Sequence, residues 1–361
     1  MLRREQIDGR QLVSLLLGFL LGTSLVLPTG HQAERDAWLA VLIGGGAGVV
    51  AGAAYARLSQ AFPGQSLVGY SRRLLGRWVG GLIGLLYIWY ALHLGSLVLR
   101  NIGDLVVTTI LMRTPIIAPL VMMMALTAYA IRHGLETLAR TSQVIVGLVL
   151  LQVASTFVFL VEEMRLERLL PVLDQGLAPV LKGGWDVFAF PFGETVLFGF
   201  VLQHLRPGTA VRRPFLVALT VGVLVLGLIT VRNVSVSGAH VLGAVRFPST
   251  GVIQRIEIGD ILTRLEPGFI ATWILTGFLK LSLCLYAATG GIAEWWGLSE
   301  YRPLVMPIGA LMVALSILVY PNVTEMVDFA TTIWPVYSFP FQVLIPLVLV
   351  VATWVRGAPK G

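Results

Sequence analysis

Long apolar stretches alternate with short polar ones along the whole chain. Ten such stretches are legible: about 11–28, 38–56, 78–99, 115–131, 143–161, 185–204, 214–231, 268–293, 303–320 and 334–355. Most are close to the roughly 20 residues that an α-helix needs to cross a bilayer. Their connections are short, with one exception at about 232–267. There Val252, Ile253, Ile256, Ile258, Ile261, Leu262 and Leu265 are interleaved with Arg255, Glu257, Asp260, Arg264 and Glu266. That spacing predicts an amphipathic helix lying on the outer face of the membrane, as a packing element or as a gate. The pattern predicts an all-α polytopic membrane protein of ten transmembrane helices, with both termini on one side.

Composition agrees. Of 361 residues, 56% are hydrophobic and 12% are charged, about half the usual charged share, and the mean hydropathy is +0.83. A soluble enzyme, a disordered chain and a nucleic-acid-binding module are excluded on these grounds. The net charge of +7 reads as basic loops facing anionic lipid, since no run of five basic residues exists. With the N-terminus inside, fifteen Lys and Arg fall on the inner side and ten on the outer, so both termini are expected in the cytoplasm. The Arg3–Arg4 start reads as the flank of an uncleaved first span. One cysteine, Cys284, allows neither an internal disulfide nor a cysteine metal site. No phosphate loop, zinc-protease or nucleophile-elbow motif occurs, so neither an enzyme nor a cofactor or metal is expected.

Small residues recur every four positions at Gly44, Gly48 and Gly52, at Gly76, Gly80 and Gly84, and at Gly18 and Gly22. Such spacing predicts close helix packing in lipid. Two segments are interrupted. The first carries Gly18 and then Leu21-Gly22-Thr23-Ser24; the sixth carries Phe190-Pro191-Phe192-Gly193-Glu194. Proline removes a backbone donor and crowds the preceding turn. Freed backbone at membrane depth is tolerated only where it is buried in protein or lines a cavity. Breaks at corresponding places in two halves point to a binding site in a transporter-type inverted repeat. The chain divides accordingly into repeats at about 8–163 and 183–356 within a single membrane domain. The half-helix N-termini at the breaks could receive a carboxylate such as that of an amino acid.

Glu194 and Lys280 fall at mid-span of segments 6 and 8. Charges there are costly and mark function by default. Either they form a structural ion pair, or Glu194 meets a ligand ammonium or a proton while Lys280 stands where a sodium ion would otherwise sit. A purely structural role for the protein would leave both replaceable by Gln and Met. Tyr90 and His93 lie one turn apart on segment 3, either lining the same cavity or packing.

The residues that carry a family resemblance are Gly22-Thr23-Ser24 with Leu27-Pro28, Asp36-Ala37-Trp38-Leu39-Ala40 and Tyr70-Ser71-Arg72-Arg73-Leu74-Leu75-Gly76. Pro191-Phe192-Gly193-Glu194 and the run Arg264-Leu265-Glu266, Phe269, Trp273 and Phe278-Leu279-Lys280 complete the set. Over essentially its whole length the chain resembles the permease-like B subunit of GerA-type spore germinant receptors, within the amino acid–polyamine–cation superfamily. The resemblance implies a LeuT-like five-plus-five fold with broken helices 1 and 6, placed in the spore inner membrane. It implies a small nutrient germinant, often an amino acid, and assembly with an A-type subunit and a lipoprotein C-type subunit. It also implies a ligand pocket between broken spans one and six and spans three and eight: Gly22, Thr23, Ser24, Phe192, Gly193, Glu194 and Ser282, with Tyr90 or His93 from span three. A proton- or sodium-coupled amino acid transporter of the same fold is the alternative.

Overall fold

The computed structural model describes residues 5–25, 27, 30–239, 248–253 and 266–356. Among them there is no strand, only an isolated bridge between Ile7 and Leu205. Helix α1 (Gly9–Leu21) starts on a capping box: Asp8 accepts from the Gln11 amide and Gln11 reciprocates, at 2.8 and 2.9 Å. These bonds satisfy donors that a helix start otherwise leaves free. It is followed by a 3₁₀ turn (Thr23–Leu25), then by α2 (Ala37–Ala61), α3 (Leu67–Thr109), α4 (Ile117–Arg132) and α5 (Leu135–Leu160).

The second half begins with α6 (Leu177–Val187), a π-helical turn (Phe188–Phe192) and a 3₁₀ segment (Gly193–Phe200). Then come α7 (Arg212–Ser237), the short α8 (Pro248–Ile253), α9 (Glu266–Trp296) and α10 (Arg302–Leu318). The last span is composite: α11 (Val323–Asp328), α12 (Trp334–Phe339) and α13 (Ile345–Arg356), joined by π-helical turns. Six of these stretches are long and apolar enough to cross a membrane by length and composition. Helices α1, α4 and α10 are shorter apolar helices, and α6 with its break supplies the one remaining span, the sixth in chain order.

Helix α9 runs along α3, α2 lies between α6 and α7, and α1 is wedged among α5, α7 and α9. The centre is filled by Phe19, Tyr87, Phe192, Phe198, Phe215 and Trp273. The outward faces carry exposed Leu82, Val121, Met122, Leu126, Val144 and Leu151, which is the surface a lipid solvent asks for.

Gly44 packs its open face on the Gly184 carbonyl, Gly48 on the Phe192 ring and Gly52 on Phe215 and Leu219. Gly18 faces Leu279 and Gly22 faces Lys280. These are the close helix contacts that the spacing predicts. The third glycine run behaves differently. Gly76 has φ +84°, a left-handed conformation that bends α3 there and that costs glycine least. The arm before it folds back, and a Cβ at Gly80 would sit 2.2 Å from the Ser71 carbonyl oxygen. The run therefore builds a bend within one helix rather than a seam between two spans; only Gly84 meets another span as well, at Trp295.

The long connection is also shorter than hydropathy suggests. Helix α7 continues to Ser237, and Arg232 is buried in it, donating to Thr156 Oγ1 at 2.5 Å and to Asn233 Oδ1 at 2.8 Å. Arg100, counted as a loop charge, is likewise buried within α3. Of the expected amphipathic helix, only Pro248–Ile253 is described, with Val252 and Ile253 buried. Residues 254–265, including Arg255, Glu257, Asp260 and Arg264, lie outside the described residues, as does Pro28. The tenth span begins at Val323 rather than 334, because Glu325 and Asp328 depress the hydropathy of its first turns.

Candidate functional site

The two helix breaks face one another across the centre of the bundle. At the first, Gly22 leaves helical geometry (φ −22°, ψ −104°) and its carbonyl accepts from Thr276 Oγ1 of α9 at 3.2 Å. A Cβ on Gly22 would lie 2.9 Å from the Lys280 chain and 3.0 Å from the Phe19 carbonyl oxygen. The absence of a side chain is what lets the broken span approach α9.

At the second break, Phe190 is extended (φ −143°, ψ 115°) and the Phe190–Pro191 peptide is cis. The carbonyl of Ala189 is released from the helix ladder. It accepts from Gln342 Nε2 at 2.8 Å and from Trp334 Nε1 at 3.2 Å, both on the tenth span. Gln342 also donates to the Tyr90 hydroxyl at 2.9 Å. A buried carbonyl at this depth needs such donors. Thr195 Oγ1 donates to the Phe192 carbonyl at 2.6 Å.

Glu194 and Lys280 meet between the breaks. Lys280 Nζ lies 2.5 Å from Glu194 Oε2, and both side chains are 0% exposed. The ammonium also sits 5.0 Å from the Phe19 ring centroid and 4.5 Å from that of Phe190. Two aromatic faces and one carboxylate thus replace its hydration shell. The second carboxylate oxygen, Glu194 Oε1, has no partner among the described residues, and neither do the buried hydroxyls of Thr23, Ser24 and Ser282.

A cavity opens beside this cluster, toward the membrane face opposite the N-terminus. Thr23 and Leu27 line it from the first break, and Asp186, Val187, Phe190 and Glu194 from the sixth span. Helix α3 contributes Leu94, Leu97, Val98 and Asn101. The remaining wall comes from Gly30 and His31, from Tyr320, and from the first turns of the tenth span, through Phe329 to Trp334.

Of the residues expected at the site, Thr23 and Glu194 line the cavity; Gly22 and Lys280 stand directly behind them. Gly193 packs on Gln342, with 2.1 Å from an added Cβ to Oε1. Phe192 is buried against Gly48. Ser24 and Ser282 are buried and outside the lining. Tyr90 stacks on Phe341 at 4.7 Å and on Trp334 at 5.7 Å, and His93 accompanies Trp89 at 5.6 Å and Tyr337 at 5.2 Å. Neither lines the cavity, which lies up to three turns further along α3, at Leu94 to Asn101.

Asn101, Asp186, Tyr320, Trp334 and Gln342 were not singled out by hydropathy. Asn101 lies just past the end of the third apolar stretch. Gln342 had a usable signal, as a lone amide inside an apolar span.

Broken first and sixth spans in a ten-helix bundle, with a cavity at the breaks, define a LeuT-like transporter fold. Solved structures confirm it. The chain superposes with a TM-score of 0.69 on Mhp1, a nucleobase-cation-symport-1 family transporter in a closed conformation with bromovinylhydantoin bound, at 10% identity, covering 98% of this chain and 84% of that one. It superposes at 0.67 on MhsT in complex with L-phenylalanine, at 14% identity over 97% and 90% of the two chains.

Within that fold the chain belongs to the spore germination protein family of spore permeases, which it matches over residues 6–324. It is 32% identical to spore germination protein KB of Bacillus subtilis (strain 168), over 98% of this chain and 96% of that protein. It is 28% identical to spore germination protein YndE of the same organism, over 99% of each.

Proposed function

We propose that this protein is the ligand-sensing membrane subunit of a spore germinant receptor. It binds a small nutrient, an amino acid, in the cavity at the breaks of spans one and six, and so triggers germination. The observation that carries the reading is the set of three buried atoms on the cavity wall, Thr23 Oγ1, Asn101 Oδ1 and Glu194 Oε1, that have no partner among the described residues. Each costs about 1–3 kcal/mol if left unpaired, and each is an acceptor that a ligand ammonium would satisfy. The apolar walls at Leu97, Val98 and Phe329 suit an aliphatic or aromatic side chain. The spore germination relatives support the role, and MhsT with L-phenylalanine supports the ligand class.

Binding triggers germination only insofar as the ligand prefers one of two bundle conformations. The signal would pass to A-type and C-type partner subunits in the spore inner membrane, with both termini of this chain in the cytoplasm. A coupled amino acid transporter is the second reading, favoured by the fold shared with Mhp1, a transporter, and with MhsT, which holds L-phenylalanine.

The test is germination of spores carrying Thr23→Val, Asn101→Leu or Glu194→Gln, scored across amino acids, sugars and nucleosides, with protein level checked by immunoblot. Sensing at this cavity predicts normal accumulation of the Thr23 and Asn101 variants with a lost or shifted response to one germinant. A parent-like dose response from both overturns it. Uptake of that solute by the purified subunit in proteoliposomes would favour the transporter reading.

A further inference from the structure

A second recess lies at the opposite end of the bundle, on the N-terminal side, where α2 and the tenth span end and α7 begins. Its polar wall is made by Arg57 and Gln60 of α2 and Arg212 of α7. Its floor is Ala53, Ala54 and Val350, and the Trp354 ring closes one edge. Arg57 lies 5.6 Å from that ring centroid, so the indole face holds one side of the guanidinium and leaves its in-plane N–H groups open.

Neither Arg57 nor Arg212 makes a hydrogen bond or an ion pair among the described residues, and no acidic residue lines the recess. Two guanidinium groups on one groove with no carboxylate call for an anion. The floor is continuous with lipid-facing surface: Leu347, Val348 and Val351 are exposed on α13, and Trp354 is 63% exposed at its end. A tryptophan at a span terminus sits at headgroup depth.

We propose that this groove binds the headgroup of an acidic phospholipid of the surrounding bilayer. The phosphodiester would sit between Arg57 and Arg212, with one acyl chain along Ala53, Ala54 and Val350. Basic recesses between span ends recognise lipid headgroups in this way. A planar guanidinium meets two phosphate oxygens at once, which ammonium groups do less well. The site is on the other side of the bundle from the germinant cavity and does not depend on it.

The test uses the whole protein in nanodiscs of phosphatidylcholine with or without phosphatidylglycerol, released into native mass spectrometry. The parent should retain phosphatidylglycerol in preference to phosphatidylcholine. Arg57→Gln and Arg212→Gln should each lower that preference about fivefold, the factor that about 1 kcal/mol per basic residue near an anionic surface corresponds to, and the double variant should abolish it. Arg140→Gln, which removes an exposed arginine paired with Glu136, should leave it unchanged. Unfolding in phosphatidylcholine alone should be the same for all four, because these side chains are exposed.

The proposal fails if the parent shows no preference or if the double variant keeps it. It also fails if inorganic phosphate protects the parent in phosphatidylcholine nanodiscs as well as phosphatidylglycerol does, since the groove would then be a free-anion site.

Discussion

Replacing one or both members of the Glu194–Lys280 pair is the sharpest test of how the bundle centre is built. The two groups are 2.5 Å apart and fully buried. At an effective dielectric near 20, unit charges at that separation attract by about 7 kcal/mol. Most of that gain is offset by the cost of removing both ions from water. The net worth of the pair is therefore small, while the cost of breaking it is large. Lys280→Met leaves a buried carboxylate with neither of its oxygens paired to a charge. Glu194→Gln leaves an ammonium with the Phe19 and Phe190 rings and at most a neutral amide oxygen, and no counter-charge. Each single variant should lose about 3–5 kcal/mol, a large part of a typical folding free energy.

The double variant, Glu194→Gln with Lys280→Met, should return to within about 1 kcal/mol of the parent, because neither charge is then stranded. The double-mutant cycle would give a coupling of several kcal/mol. The assay is unfolding of the purified protein by titration from mild detergent into SDS, followed by helical circular dichroism. Single variants as stable as the parent, or additive losses in the double, would refute the reasoning. The same double variant separates stability from function: if it folds but its spores ignore every germinant, the charges act in sensing and are more than structural.

Gly193→Ala should cost about 2 kcal/mol. Its Cβ would displace the Gln342 side chain and with it two hydrogen bonds; adding Gln342→Ala should then cost little more, measured in the same SDS titration. Gly80→Ala should prevent normal accumulation in the membrane, since backbone at 2.2 Å cannot move aside, whereas Gly84→Ala, facing a Val68 methyl at 3.1 Å, should accumulate like the parent. Arg100→Met should destabilise by about 3–5 kcal/mol. Arg100 pairs with Asp104 at 3.0 Å and donates to the Ser316 and Tyr320 carbonyls at 3.1 and 2.7 Å. Because Tyr320 lines the cavity, spores with any residual Arg100→Met protein should also respond to germinant with a shifted dose dependence.

The helical, membrane-spanning class and the count of ten follow from hydropathy, because a bilayer requires apolar helices of set length whatever their neighbours. The two breaks were also legible, because Gly22, Pro191 and Gly193 weaken helices through local backbone chemistry. Glu194 and Lys280 stood out as lone charges at mid-span. Whether they pair stayed open between two readings, since they are 86 positions apart and only the packing of span six against α9 brings them together.

The Gly76–Gly84 run shows the same limit. Its period fits helix packing, but the positive φ of Gly76 belongs to a bend that no spacing announces. The wall that the tenth span gives the cavity was hidden by Glu325 and Asp328, whose charges interrupt the apolar run at the membrane edge. The placement of Tyr90, His93 and Asn101 was decided by where α3 meets its neighbours, a matter of rotation and depth along one long helix. Hydropathy and backbone chemistry are properties of a residue and its near neighbours, so the sequence carries them openly. Pairing, depth and cavity walls depend on the relative placement of helices far apart in the chain, and only the folded bundle decides those.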